Sequence, residues 1–92
     1  MEDKDKVSVE LNDARLASFN SFMEAASLAQ NSSDYDMAET LFKVAQLYSI
    51  DTWGPYQWPE AKALLELSDL YLLQDRVQEA EVTWLLGVRI LS

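Results

Sequence analysis

Apolar positions recur at three- and four-residue spacing along most of the chain, and no strand-like alternation interrupts them. From Ser8 to Gln30, Leu11, Ala14, Phe22, Ala25, Ala26 and Ala29 share one side of a helix, with Leu16, Phe19 and Met23 widening the stripe. Asn31-Ser32-Ser33 breaks this pattern and offers an N-cap to a second helix over about 34–50, where Glu39 and Lys43 form an i,i+4 pair predicted on its outer face. Trp53-Gly54-Pro55 ends that helix: Gly54 tolerates the left-handed conformation and Pro55 has no N–H to continue the ladder. Pro59 suits the first turn of a third helix, which carries Ala61, Leu64, Leu65, Leu67, Ser68, Tyr71 and Leu72. A break at Gln74-Asp75 precedes a fourth helix over about 76–91. The predicted fold is all-α, two antiparallel helix pairs in a domain spanning 8–92, with residues 1–7 as a flexible charged tail.

One element occurs twice. Asp34 to Glu39 followed by Phe42 returns as Arg76 to Glu81 followed by Trp84, so that Ala38 and Ala80, Glu39 and Glu81, and Phe42 and Trp84 all stand 42 positions apart. A fixed period of a few tens of residues marks stacked units that bury one face against a neighbour. In the second unit the key positions read Leu64, Leu67, Ser68, Tyr71, Ala80 and Trp84, and in the first Phe22, Ala25, Ala26, Ala29, Ala38 and Phe42. Small residues, including Ala45 and Gly87, let helices approach closely, and large ones fill the space between them. This pattern resembles the tetratricopeptide repeat, W-x2-L-G-x2-Y followed by A-x3-F.

The resemblance covers about residues 19–91: repeat one about 19–50, a linker 51–58, and repeat two about 59–91. It is thinnest between Phe19 and Gln30. The 42-residue period is similar to the longer repeats of kinesin light chains, with Ile50–Trp58 holding the extra length. Two departures stand out. Ser33 and Asp75 occupy the turns where glycine is expected, and Ile50 and Ser92 replace the closing proline.

The resemblance implies a short α-solenoid whose first helices line a partner groove. Residue by residue, that groove presents Asn20, Met23, Ser27 and Gln30 from one helix, and Lys62, Leu65, Asp69 and Leu72 from the other. Met23 and Leu65 are the expected exposed apolar contacts, on the same side, with Asn20, Ser27 and Gln30 offering hydrogen bonds. Met23, Ser27 and Glu66 stand where a carboxylate clamp would need lysine, asparagine and arginine, so a chaperone-tail clamp is not expected. The linker aromatics Trp53, Tyr56 and Trp58 either fold back over the helix ends or serve as interface anchors.

The two second helices differ along one stripe. Thr40, Lys43 and Gln46 become Val82, Leu85 and Val88 after 42 residues, with Leu86 adjacent, beside a core side expected from Val77, Ala80 and Trp84. A terminal helix exposed to water needs a polar outer face. This stripe is therefore expected to be covered, by the N-terminal helix folding back, a second copy, a partner protein or a further repeat.

Composition then narrows the function. A hydrophobic fraction of 49% over 92 residues suits one small globular domain. Sixteen acidic against seven basic side chains give a net charge of −9, which repels phosphates and anionic lipid and favours a basic protein or peptide partner. There is no cysteine or histidine, so thiolate chemistry and the commonest neutral-pH base are missing. Asp34 and Asp36 read as helix-start charges rather than catalytic or calcium ligands. No phosphate loop, nucleophile elbow or metal motif occurs. No apolar run is long enough for membrane insertion, and the polar N-terminus makes a cytoplasmic location the default. The reading is a non-catalytic interaction module without cofactor or metal: an adaptor, scaffold or small chaperone-like subunit. A self-associating assembly subunit, a homodimer or hetero-oligomer built through its C-terminal helix, is the alternative.

Overall fold

The computed structural model describes the backbone of residues 2–92 and the side chains of residues 6–92. It contains four helices, α1 (Glu2–Asn31), α2 (Tyr35–Trp53), α3 (Trp58–Leu73) and α4 (Val77–Leu91), and no strand among the described residues. The all-α, four-helix expectation holds, with two boundary corrections. The segment 1–7 expected as a flexible tail is helical from Glu2 onward, while Met1 lies outside the described residues. α2 continues past Ile50 to Trp53, which leaves only residues 54–57 between α2 and α3.

Each turn within a pair closes in the same way, 42 residues apart. Ser33 and Asp75 sit at φ of 62° and 61°. The Asp34 N–H donates to the Ala29 carbonyl at 2.9 Å, and the Arg76 N–H donates to the Tyr71 carbonyl at 2.9 Å. Ser33 N–H to Gln30 O and Asp75 N–H to Leu72 O, both 3.0 Å, complete two Schellman motifs. The following residues take nearly equal conformations, φ −87° and ψ 74° at Asp34, φ −92° and ψ 67° at Arg76. At these two turns the recurrence in sequence is also a recurrence in backbone. Serine and aspartate adopt the left-handed geometry that glycine would take at lower cost. The N-cap of α2 is Asp34, whose carboxylate accepts from the Met37 N–H, rather than one of the preceding serines.

Each helix packs on the next, and α1 also meets α3 over a short stretch. No described part of α1 or α2 packs its backbone against α4. The N-terminal helix therefore does not fold back over the C-terminal one. The molecule is a thin slab of 53 × 30 × 15 Å.

The core draws Phe19, Met23 and Ala26 from α1, Ala38, Phe42 and Ala45 from α2, Ala63, Leu67, Leu70 and Tyr71 from α3, and Ala80 from α4. The repeated small positions Ala26, Ser68, Ala38, Ala80, Ala45 and Gly87 are all buried. Gly87 shows why: a Cβ there would stand 3.0 Å from Leu65 Cδ2 and 3.3 Å from the Ala61 carbonyl. The large positions divide. Phe42 and Tyr71 are buried and Phe22 packs at the core's edge, but Trp84, expected inside, is 50% exposed, because no described helix packs over that flank of α4. Val77 is likewise exposed. In α1 the buried line is Phe19-Met23-Ala26, and the expected Leu11 and Ala14 face water, since α1 outruns its neighbours toward its N-terminus.

Candidate functional site

α1 and α3, the first helices of the two pairs, border a shallow cleft of about 670 Å³. One wall is the helical stripe Asn20, Glu24, Ser27 and Asn31, with Leu28 at its rim, and the other is Lys62 and Glu66, with Met23 between them. The spacings 20, 24, 27 and 31 are those of a single helix face, which is why these side chains point together. Two amides, a hydroxyl, two carboxylates and an ammonium converge here, and among the described residues Glu24, Lys62 and Glu66 make no ion pair. The arrangement suits hydrogen bonding to an extended backbone or to cationic side chains.

The eight expected groove residues do not all meet. Asn20, Met23, Ser27 and Lys62 line this cleft. Met23 is buried as part of the core, not offered as an exposed contact. Leu65 is half-buried and turned toward Gly87 of α4, so it does not share Met23's side. Three residues of helix rotate a side chain by about 60° from its starting direction. That carries Leu65 from the open line of Lys62 into the α3–α4 seam. Asp69 and Leu72 border a separate depression with Ala80 and Trp84, and Gln30 lines neither. Glu24, Leu28 and Asn31 were missed by the repeat alignment, although their i+4, i+8 and i+11 relation to Asn20 was available in the sequence.

The α4 stripe, expected to be covered, is left open by the described part of the chain at three of its four positions. Val82, Leu85 and Leu86 are exposed, and Val88 is half-buried. Glu81 and Arg89, both exposed, have no ion-pair partner among the described residues.

The linker aromatics divide between folded-back and outward positions. Trp53 folds back: its Nε1–H donates to Asn12 Oδ1 at 3.1 Å, and its ring meets Phe19 edge-on at 5.9 Å and Tyr48 at 6.2 Å. Trp58 keeps an edge contact with Phe19 at 6.5 Å while half its surface remains open. Tyr56 points out, on a left-handed backbone of φ 65° held by its N–H donating to Glu60 Oε1 at 2.9 Å. Glu60, unremarked in sequence, is buried and also accepts from Gln46 Nε2 at 3.2 Å.

The electrostatic centre is Glu39, expected on an outer face but placed where α2, α3 and the start of α4 meet. Its carboxylate accepts from Lys43 Nζ at 2.8 Å, Arg76 Nη1 at 2.9 Å and Tyr71 Oη at 3.0 Å. Arg76 also pairs with Glu79 and stacks 4.4 Å from the Tyr71 ring centre. The hydrogen bonds from Lys43 and Arg76 lower the Glu39 pKa to about 2, and burial pushes the Tyr71 hydroxyl up. Every member is already engaged, and the cluster ties α2, α3 and the start of α4 together. Among the described residues no three candidate ligands gather to hold a metal ion, and no helix is long and apolar enough to cross a membrane.

Comparison with protein-family models, with curated proteins and with solved structures gives no match to this chain.

Proposed function

We propose that the chain is a non-catalytic protein–protein interaction module of tetratricopeptide-like build, an adaptor, scaffold or small chaperone-like subunit that holds a peptide or partner helix. The observation that carries this reading is the cleft between α1 and α3, the first helices of two pairs whose turns are closed identically 42 residues apart. Its polar lining and a net charge of −9 favour a basic segment. Glu24 and Glu66 contribute acceptors for lysine or arginine, and Asn20 and Asn31 engage peptide groups. Screening basic, neutral and acidic peptide pools against the immobilised chain tests the reading. Basic peptides are expected to be retained, less so as salt rises, and Glu24→Lys with Glu66→Lys is expected to abolish retention while leaving the thermal midpoint unchanged. Retention that ignores this double change would place the binding surface elsewhere.

A further inference from the structure

α4 is apolar on nearly every side, as helices with neighbours on both flanks are. From Val82 to Leu91 its only polar side chains are Thr83 and Arg89, and a helix apolar on all sides is normally buried. Yet among the described residues the backbone of α4 packs on α3 alone. Ala80, Thr83 and Gly87 are buried, while Gln78, Glu81, Val82, Leu85 and Arg89 are exposed and Val88 is half-buried at the edge of that face. Val82 is 60% and Leu85 43% exposed.

The order of residues on this face is self-complementary about Leu85. Three positions to either side stand Val82 and Val88, four positions to either side Glu81 and Arg89, and seven to either side Gln78 and Ser92. Two copies of α4 laid antiparallel, with a twofold axis at Leu85, bring valine to the level of valine. The same alignment brings the unpaired Glu81 to the level of the unpaired Arg89, twice. A parallel pairing would instead set Glu81 beside Glu81. We infer that the occupant of this face is a second copy of the chain, docked antiparallel through α4, with Leu85 packed on Leu85 and Glu81 bonded to Arg89 of the other copy.

The contrast with the first repeat supports this. Glu39, the counterpart of Glu81, is satisfied within the chain by Lys43, Arg76 and Tyr71, whereas Glu81 has no such partner. The remainder of the molecule carries most of the net charge of −9, and α4 itself holds Glu79, Glu81 and Arg89 only, so the two copies meet where their mutual repulsion is least. Four turns of helix give a seam of about 22 Å. This contact lies apart from the α1–α3 cleft and does not depend on what that cleft holds.

Sedimentation of the purified chain across roughly two decades of concentration, centred on the micromolar range, tests the inference. The mass is expected to rise from one chain to two. Leu85→Glu, Glu81→Arg and Arg89→Glu are each expected to weaken the dimer by about tenfold or more. The combined Glu81→Arg and Arg89→Glu exchange is expected to recover most of the loss, because the pairs re-form with reversed sign. All three positions are exposed, and circular dichroism melts of the monomers verify that the fold is kept. A chain that stays monomeric throughout overturns the inference, including one whose α4 face is taken by a different polypeptide. So does a dimer indifferent to Leu85→Glu, or a double exchange that recovers nothing.

Discussion

The carboxylate of Glu39 joins three helices through Lys43, Tyr71 and Arg76. Its pKa in the folded chain, about 2, lies below the ordinary value of 4.5. A depressed carboxylate stabilises the fold fully above its unfolded pKa, and that contribution is lost as pH falls through the folded value. The window is therefore about pH 4.5 down to about 2. Since Lys43 and Arg76 are partly open to solvent, the contribution is about 1–2 kcal/mol rather than the full value of the shift. Glu39→Gln is expected to lower stability by that amount at neutral pH in urea melts, with the gap to wild type closing by about pH 2. A gap that persists unchanged in acid would mean the ion pairs do not act. Packing makes a second prediction at this scale. Ala38 is sealed at 0% exposure, whereas Ala80 borders a surface depression beside Trp84. Ala38→Leu is expected to cost roughly 1–3 kcal/mol, and Ala80→Leu less, because its added methyls have somewhere to go. Thermal melts that reverse this order would contradict the assigned packing.

At the level of elements, the two turns and the register of α1 show what a single sequence carries. The turn positions were legible because Ser33 and Asp75 interrupt apolar periodicity at the same phase of the repeat. Both residues nevertheless hold φ near +60°, where a side chain costs about 1–2 kcal/mol over glycine. Ser33→Gly is therefore expected to raise the thermal midpoint by a few degrees, after the entropy that glycine adds to the unfolded chain. Asp75→Gly is expected to gain less, because aspartate tolerates this conformation better. A lowered midpoint for Ser33→Gly would show that the serine side chain contributes something the backbone geometry does not reveal. The buried face of α1 was less legible. Alanines and large apolar residues occur on more than one side of it, and the choice of Phe19-Met23-Ala26 over Leu11 and Ala14 depends on how far α2 and α3 extend alongside it. The same dependence moved Leu65 out of the cleft: its exposure is set by α4, a helix that the alignment of first helices did not consider.

For the whole molecule, the order of packing predicts an order of opening. Among the described residues α3 touches all three other helices, whereas the backbone of α4 packs on α3 alone and residues 6–18 of α1 lie almost wholly exposed. Hydrogen exchange is expected to be slowest in α3 and faster in α4 and in the first turns of α1. If α4 pairs with a second copy, its protection rises with protein concentration while that of α1 does not. Uniform exchange across α3 and α4 at low concentration would argue against this hierarchy. Helix number, the 42-residue period, the small residues at close approaches and the apolar stripe of α4 were determined by the sequence, because each rests on local spacing and side-chain size. Only the tertiary structure decided that Met23 is core, that Trp84 is half-exposed, that Glu39 and Glu60 are drawn inward and that the backbone of α4 has one neighbour among the described residues. Burial is a property of what lies opposite a side chain, and in a stack of helices that neighbour is set by the packing of whole elements, not by the residues adjacent in sequence.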